Sequence, residues 1–272
     1  MNRTPSILVD TGFKAGADGT LTELDFPSVV TTLNAPNKIT FSGTTLNWVP
    51  SNASTLTTVI ANNLASITTS LFINYTRLNS VTLNNLTTIT SPNTESSGAF
   101  KNCTQLTSVN MPSLTMITSA YNVKYIGAFY GCTGLTSISL PSLVTCNEQS
   151  HLGGTFYGCT GLTSVSLPEL QSVGAGTFGR MFGECISLEN ITLPKIVSLP
   201  TASSNASTFY NCTGLQNVQL GSDGHPVTAI GSYTFSGCTQ QGLTITVYTA
   251  DGNAISGSPW GATNATIVWE EA

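Results

Sequence analysis

One motif recurs along this chain, Phe-x-x-Cys-x-x-Leu-x-x-Val/Ile, and it constrains the fold more than any other feature. It begins at Phe100, Phe129, Phe156, Phe182, Phe209 and Phe235. The cysteines of these copies are Cys103, Cys132, Cys159, Cys185, Cys212 and Cys238, at intervals of 29, 27, 26, 27 and 26 residues. In the last copy Leu243 arrives two residues late. Degenerate copies come earlier: Phe72, Tyr75, Leu78 and Val81, with Tyr75 in the cysteine slot, and Leu56, Val59 and Leu64 before that. Leu21, Leu24, Phe26, Pro27 and Val29 echo the motif near the start. Self-similarity at a period of roughly 20–50 residues marks an array whose units bury a continuous core only when stacked.

The copy from Phe156 to Val173 shows how one unit is expected to fold. Phe156, Cys159 and Leu162 stand three apart, a spacing that lines up on one face of a tight helical turn. Val165 and Leu167 then alternate with Ser164 and Ser166, which predicts a short strand with one face buried. Pro168 ends that strand, because proline cannot donate to a ladder. Leu170 and Val173 lead the chain back beneath the core. The expected fold is therefore β-dominated: short parallel strands stacked with single helical or 3-10 turns, capped at both ends. Seven or eight such rungs, about 4.8 Å apart, make a body on the order of 35 Å long.

The segments AFYGCTGLTSISLPSL (Ala128–Leu143) and TFYGCTGLTSVSLPEL (Thr155–Leu170) resemble the BspA-type leucine-rich repeats of bacterial surface proteins. The resemblance runs over about residues 56 to 247 and is strongest from Phe100 to Leu220. It implies a leucine-rich-repeat solenoid and a surface adhesin of host or matrix components, and it implies no catalytic residue. The chain departs from it in the longer links at Thr90–Gly98, Ser119–Gly127 and Asn147–Gly154, and in showing no secretory signal at Met1–Gly19. Three regions are expected: an N-terminal cap with degenerate first rungs at 1–50, the leucine-rich-repeat solenoid at 51–247, and a C-terminal cap at 248–272. In the last region Trp260 and Trp269 are expected to cover the final core layer, with Glu270 and Glu271 keeping the outer edge from pairing.

Composition narrows the function classes. Charged residues make up 8% of the chain, about a third of the usual share, and the net charge is -5. With 8 Lys and Arg and no basic cluster, nucleic acid is not an expected partner. No run approaches the roughly 20 apolar residues of a membrane span. Six of the seven cysteines share one slot, and Cys146 stands where other rungs carry Ile117, Val173 or Leu199. That is a packing pattern rather than a disulfide or metal framework. His151 and His225 lack partners at metal spacing, no carboxylate pair is set for acid–base work, and no Gly-x-Gly-x-x-Gly leads a strand into a helix. The chain is expected to be no enzyme and to need no cofactor.

Two surfaces remain as candidate partner sites. The outward side of the strands carries Asn110, Ser139, Ser166, Thr192 and Gln219, a hydroxyl- and amide-rich file suited to hydrogen-bonding. Tyr130, Tyr157 and Tyr210 sit two residues before their cysteines and, if exposed, would form part of an aromatic column next to Tyr121, Tyr125, His151 and Arg180. Aromatics of this kind supply contact area at low entropic cost. The expected function is non-catalytic binding or adhesion toward a glycan or protein, extracellularly, on a bacterial surface or a virion fibre. The alternative class is a structural component that assembles with copies of itself.

Overall fold

The computed structural model describes the strand backbone within residues 13–47, then residues 57–61, 64–67, 70, 72–91, 97–119, 126–147, 153–173, 179–201 and 206–272. The first strands are β1 (Phe13–Ala15), β2 (Leu21–Phe26), β3 (Val30–Ala35), β4 (Lys38–Phe41) and β5 (Thr44–Asn47). Two kinds of strand then alternate: β6 (Thr58–Ala61), β7 (Ser66–Ile67), β8 (Ser80–Thr82), β9 (Thr88–Ser91), β10 (Ser108–Asn110), β11 (Met116–Ser119), β12 (Ser137–Ser139), β13 (Thr145–Asn147), β14 (Ser164–Ser166) and β15 (Ser172–Val173). The array closes with β16 (Asn190–Leu193), β17 (Asn217–Leu220), β18 (Thr244–Thr249) and β19 (Thr266–Glu271).

Two parallel ladders run the length of the coil. The first is the ladder the motif predicts. It pairs β2, β6, β8 and β10, then β12 with β14, then β16 through β19. The second ladder, β3, β7, β9, β11, β13 and β15, is built from the segments expected only to lead back beneath the core. Its register sets Ile67, Ile89, Ile117, Cys146 and Val173 in one column, so Cys146 does replace a branched aliphatic residue. Isolated bridges continue it through Ser172, Ser198 and Ala229. Before the array, β1 lies antiparallel on β2, and β3, β4 and β5 form an antiparallel meander. β2 pairs parallel with β6, placing Leu24 opposite Val59.

The third side of each rung is a series of turns, with no helix among the described residues. Cys132 and Leu135 donate backbone bonds to Phe129 and Cys132, as a tight helix would require. Phe129 and Gly131, however, donate to Thr155 and Tyr157 of the next rung at 2.8 Å. With alternate N–H groups used between rungs, a continuous 3-10 helix cannot form. The residue before each cysteine takes a left-handed conformation: Asn102, Gly131, Gly158, Glu184, Asn211 and Gly237 have φ between 54° and 81°. Glycine and asparagine are the residues that reach that region cheaply. The Asn102-Cys103-Thr104 and Asn211-Cys212-Thr213 triplets follow from this need.

Side chains stack as the backbone does. Phe72, Phe100, Phe129, Phe156, Phe182, Phe209 and Phe235 form one file, with neighbouring centroids 5.1–5.6 Å apart and planes within 12°. Trp260 closes the file against Phe235 at 6.4 Å, and Trp269 packs edge-on against Trp260. Beside this file every motif thiol donates to the phenylalanine carbonyl one rung back, from Cys103 on Phe72 to Cys238 on Phe209, at 2.9–3.2 Å. The thiols are thus more than filling, because each adds a second hydrogen bond to a carbonyl that already accepts from the backbone of its own rung. Leu-Pro-x-Leu corners follow the first-ladder strands, as where Leu143 donates to Leu140 and Leu170 to Leu167. Proline presets the turn position it occupies there.

The scarcity of charge also follows from stacking. Residues in register repeat along the coil at strand spacing, about 4.8 Å, where like charges directly opposite one another destabilise a ladder. Neutral amides and hydroxyls pair instead: Asn217 donates to Asn190 at 2.7 Å and Asn110 to Asn84 at 3.0 Å. Thr115 and Thr163 hydroxyls reach the carbonyls of Thr87 and Thr136 one rung back, each at 3.0 Å.

Candidate functional site

On the outer side of the first ladder Asn110, Ser139, Ser166 and Thr192 are exposed, while Gln219 is half-buried and donates to the Gly221 carbonyl at 3.2 Å. Register brings Ser139 against Ser166, and Thr192 against Gln219 and then Thr246. Asn110 is further back along the same side, opposite Thr82. Shallow depressions run between strands, one lined by Thr163, Ser164, Val165, Asn190, Ile191 and Thr192. The inward Val109 and Val165 are only partly covered. This face offers hydrogen-bonding heads and short apolar floors.

The tyrosine column forms as well, with partners that spacing alone does not reveal. Tyr130 and Tyr157 stack at 5.2 Å with planes 14° apart, both half-buried. Lys101, in the tyrosine slot one rung earlier, places its ammonium 4.4 Å from the Tyr130 centroid. At the next rung the slot holds Gly183, whose missing β-carbon would lie 2.7 Å from the Tyr157 ring. Arg180 fills the vacancy. Its guanidinium lies 4.0 Å over the Tyr210 ring and hydrogen-bonds Tyr157. Burial, then Glu184 and Tyr130, push the Tyr157 phenol up to about 12, against the pull of Arg180. Tyr121, Tyr125 and His151 lie outside the described residues. His225 is exposed in a turn after Asp223.

Burial lowers the Lys101 amine from 10.5 to about 8. Between these values the unfolded chain binds this proton more readily than the folded one, so this group's contribution to stability rises with pH across that window. Lys101→Met is expected to remove that contribution, so that the stability of the variant falls more steeply with pH than that of the natural chain, whose buried thiols pull the other way. Urea midpoints measured from pH 8 to 10.5 check it, and an unchanged slope in the variant would contradict the assignment.

Among the described residues no group of three or more His, Cys, Asp or Glu could hold a metal. All seven cysteines are free and buried, and Cys146 lies 2.7 Å from the Thr155 hydroxyl. No helix among the described residues is long and apolar enough to cross a membrane.

The model for the BspA type leucine-rich repeat region, six copies long, matches residues 18–122, 51–152, 96–178 and 127–258. The chain belongs to the BspA-type leucine-rich-repeat family. The family's motif is thus what positions both candidate faces, since Phe, Cys and Leu turn inward and leave the intervening slots outside. Among solved structures, the chain is similar to a leucine-rich repeat protein of T. pallidum, at 17% identity over 87% of this chain and 89% of that one, TM-score 0.46. It is also similar to a leucine-rich repeat protein from Bacteroides ovatus, at 17% identity over 95% and 97% of the two chains, TM-score 0.34. A leucine rich cell surface protein from Faecalibacterium prausnitzii matches at 17% identity over 83% and 90%, TM-score 0.23. No curated protein matches the sequence.

Proposed function

We propose that this chain is a non-catalytic binding protein, presenting the outer side of its first ladder to a glycan or protein partner outside the cell, in the manner of an adhesin. The carrying observation is the exposed, neutral file of Asn110, Ser139, Ser166 and Thr192 on a scaffold held by two ladders. Hydroxyls and amides at strand spacing can each give or accept hydrogen bonds, and a rigid sheet holds them without further ordering cost. Membership of the BspA-type family supports the same reading. A bacterial surface suits that membership better than a virion fibre. Self-assembly through the C-terminal end is disfavoured, because exposed Glu270 and Glu271 place two carboxylates on β19.

The test combines a glycan array with host-cell and matrix-protein binding, on the natural chain and on the double variant Ser139→Arg/Ser166→Arg. Two arginines facing each other across β12 and β14 are expected to weaken binding by at least about tenfold, through bulk and misplaced charge. Binding that survives them undiminished removes the sheet face from the proposal.

A further inference from the structure

The rung around Phe182 breaks the repeat pattern in several slots at once. Arg180 stands where the preceding rung has Gly154, Gly183 where it has Tyr157, Glu184 where it has Gly158, and Ile186 where it has Thr160. This rung lies inside the array, where no cap is needed. Glu184 holds φ at 60°, a left-handed conformation costly for glutamate, and accepts a bond from Asn211 at 2.9 Å. Ile186 leaves 45% of its surface exposed in a slot its neighbours fill with threonine. Arg180 makes good the packing that Gly183 gives up, but the exposed Ile186 has no such gain, and departures of that kind from a repeating rule concentrate where function requires them.

The chemistry of the site follows from what is already covered. The Tyr130 ring has Lys101 on one face and Tyr157 on the other, and Arg180 covers Tyr210 from one side. A sugar ring would need an open aromatic face, and the Tyr130 and Tyr157 rings are taken up by Lys101, by each other and by the Gly183 backbone. No carboxylate among the described residues pairs with Arg180, and its buried Nε has no hydrogen-bond partner. Arginine and tyrosine with an exposed aliphatic side chain on the same turn side of the coil are the composition of a protein contact centre.

We infer that the Phe182 rung is a protein-docking point, receiving a partner carboxylate on Arg180 and a neighbouring apolar side chain on Ile186. The inference rests on the binding reading above but not on the sheet face. Arg180 donates to the carboxylate with its charge already oriented by Tyr157 and Tyr210, which limits the ordering cost of the contact. Glu184, on the same rung as Arg180 and held by Asn211, adds a carboxylate that penalises a second acidic group placed wrongly.

The test is selection from a random-peptide display library on the immobilised full chain, with an array of sialylated and uronic-acid glycans in parallel. Selected peptides are expected to pair Asp or Glu with an adjacent apolar residue. Arg180→Gln should weaken them by about tenfold or more, as truncating a buried charge partner does. Ile186→Thr, which restores the neighbours' residue, should weaken them while leaving the urea midpoint unchanged, and Lys195→Gln should do nothing. Peptides without acidic enrichment, undiminished binding to Arg180→Gln, or Arg180-dependent capture of acidic glycans instead would each overturn the inference. Ligands lost with Ser139→Arg/Ser166→Arg but kept by Arg180→Gln would overturn it while leaving the proposed function standing. An absence of any peptide or glycan ligand would sink both.

Discussion

Phe156→Ala is expected to lower stability by about 3–5 kcal/mol, the usual cost of emptying a buried aromatic site. Phe156 is fully buried, with Phe129 at 5.5 Å on one side and Phe182 at 5.6 Å on the other. The vacancy therefore opens toward two rungs, and neither ring can slide into it without leaving its own neighbour. In an array each rung is held by nearest-neighbour contacts, so this change weakens two interfaces at once. Urea unfolding followed by far-UV circular dichroism reads the result. A cost below about 1 kcal/mol, the level of an ordinary substitution, would mean that the ring is not in the file.

Gly127→Ala is expected to cost as much or more, although it adds a single methyl group. A β-carbon at Gly127 would lie 2.0 Å from the Gly154 carbonyl oxygen of the next rung. The obstacle is backbone, so no rotamer change relieves it, and the two rungs must separate. Overpacking costs about 1–3 kcal/mol when side chains can yield, and more is expected where they cannot. Gly224→Asn is the matched control. Its β-carbon meets nothing within 4 Å, and asparagine tolerates the positive φ of 74° there. The same denaturation experiment should find Gly224→Asn nearly neutral and Gly127→Ala severely destabilised. Equal midpoints for the two variants would mean that rungs do not touch at Gly127.

The rung register was legible in the sequence because each column repeats one residue type. Phe, Cys, Leu and Val or Ile recur in fixed slots, and the structure places each slot in a single inward file, buried throughout except at the partly covered Val109 and Val165. The second ladder was not legible. Its strands are as short as Ser172–Val173, too few residues for alternation to register, and only stacking supplies their partners. The tight turn was legible, but its bonds to the next rung were not. Spacing of three lines residues up on one side, but it does not say that Phe129 and Gly131 donate to the next rung. The tyrosine column could be read from slot positions. Its cations could not, since Lys101 occupies the slot as a different residue type and Arg180 enters from three residues before Gly183.

The exclusion of chemistry at the cysteines has one physical basis. Each motif thiol is buried and bound to the carbonyl one rung back, so it is held by packing and kept protonated. Burial pushes Cys159 and Cys238 up to about 12 and raises the other motif thiols well above the ordinary thiol value. A thiolate is the reactive form, so these groups should be inert until the rungs open.

Thiol titration without reductant, in native buffer and again in strong denaturant, tests the stacked-rung account most directly. The account predicts that none of the seven cysteines reacts at a free-thiol rate while folded and that all seven react once unfolded. A motif cysteine that reacts promptly in the native chain, or fewer than seven thiols in the unfolded one, would contradict it.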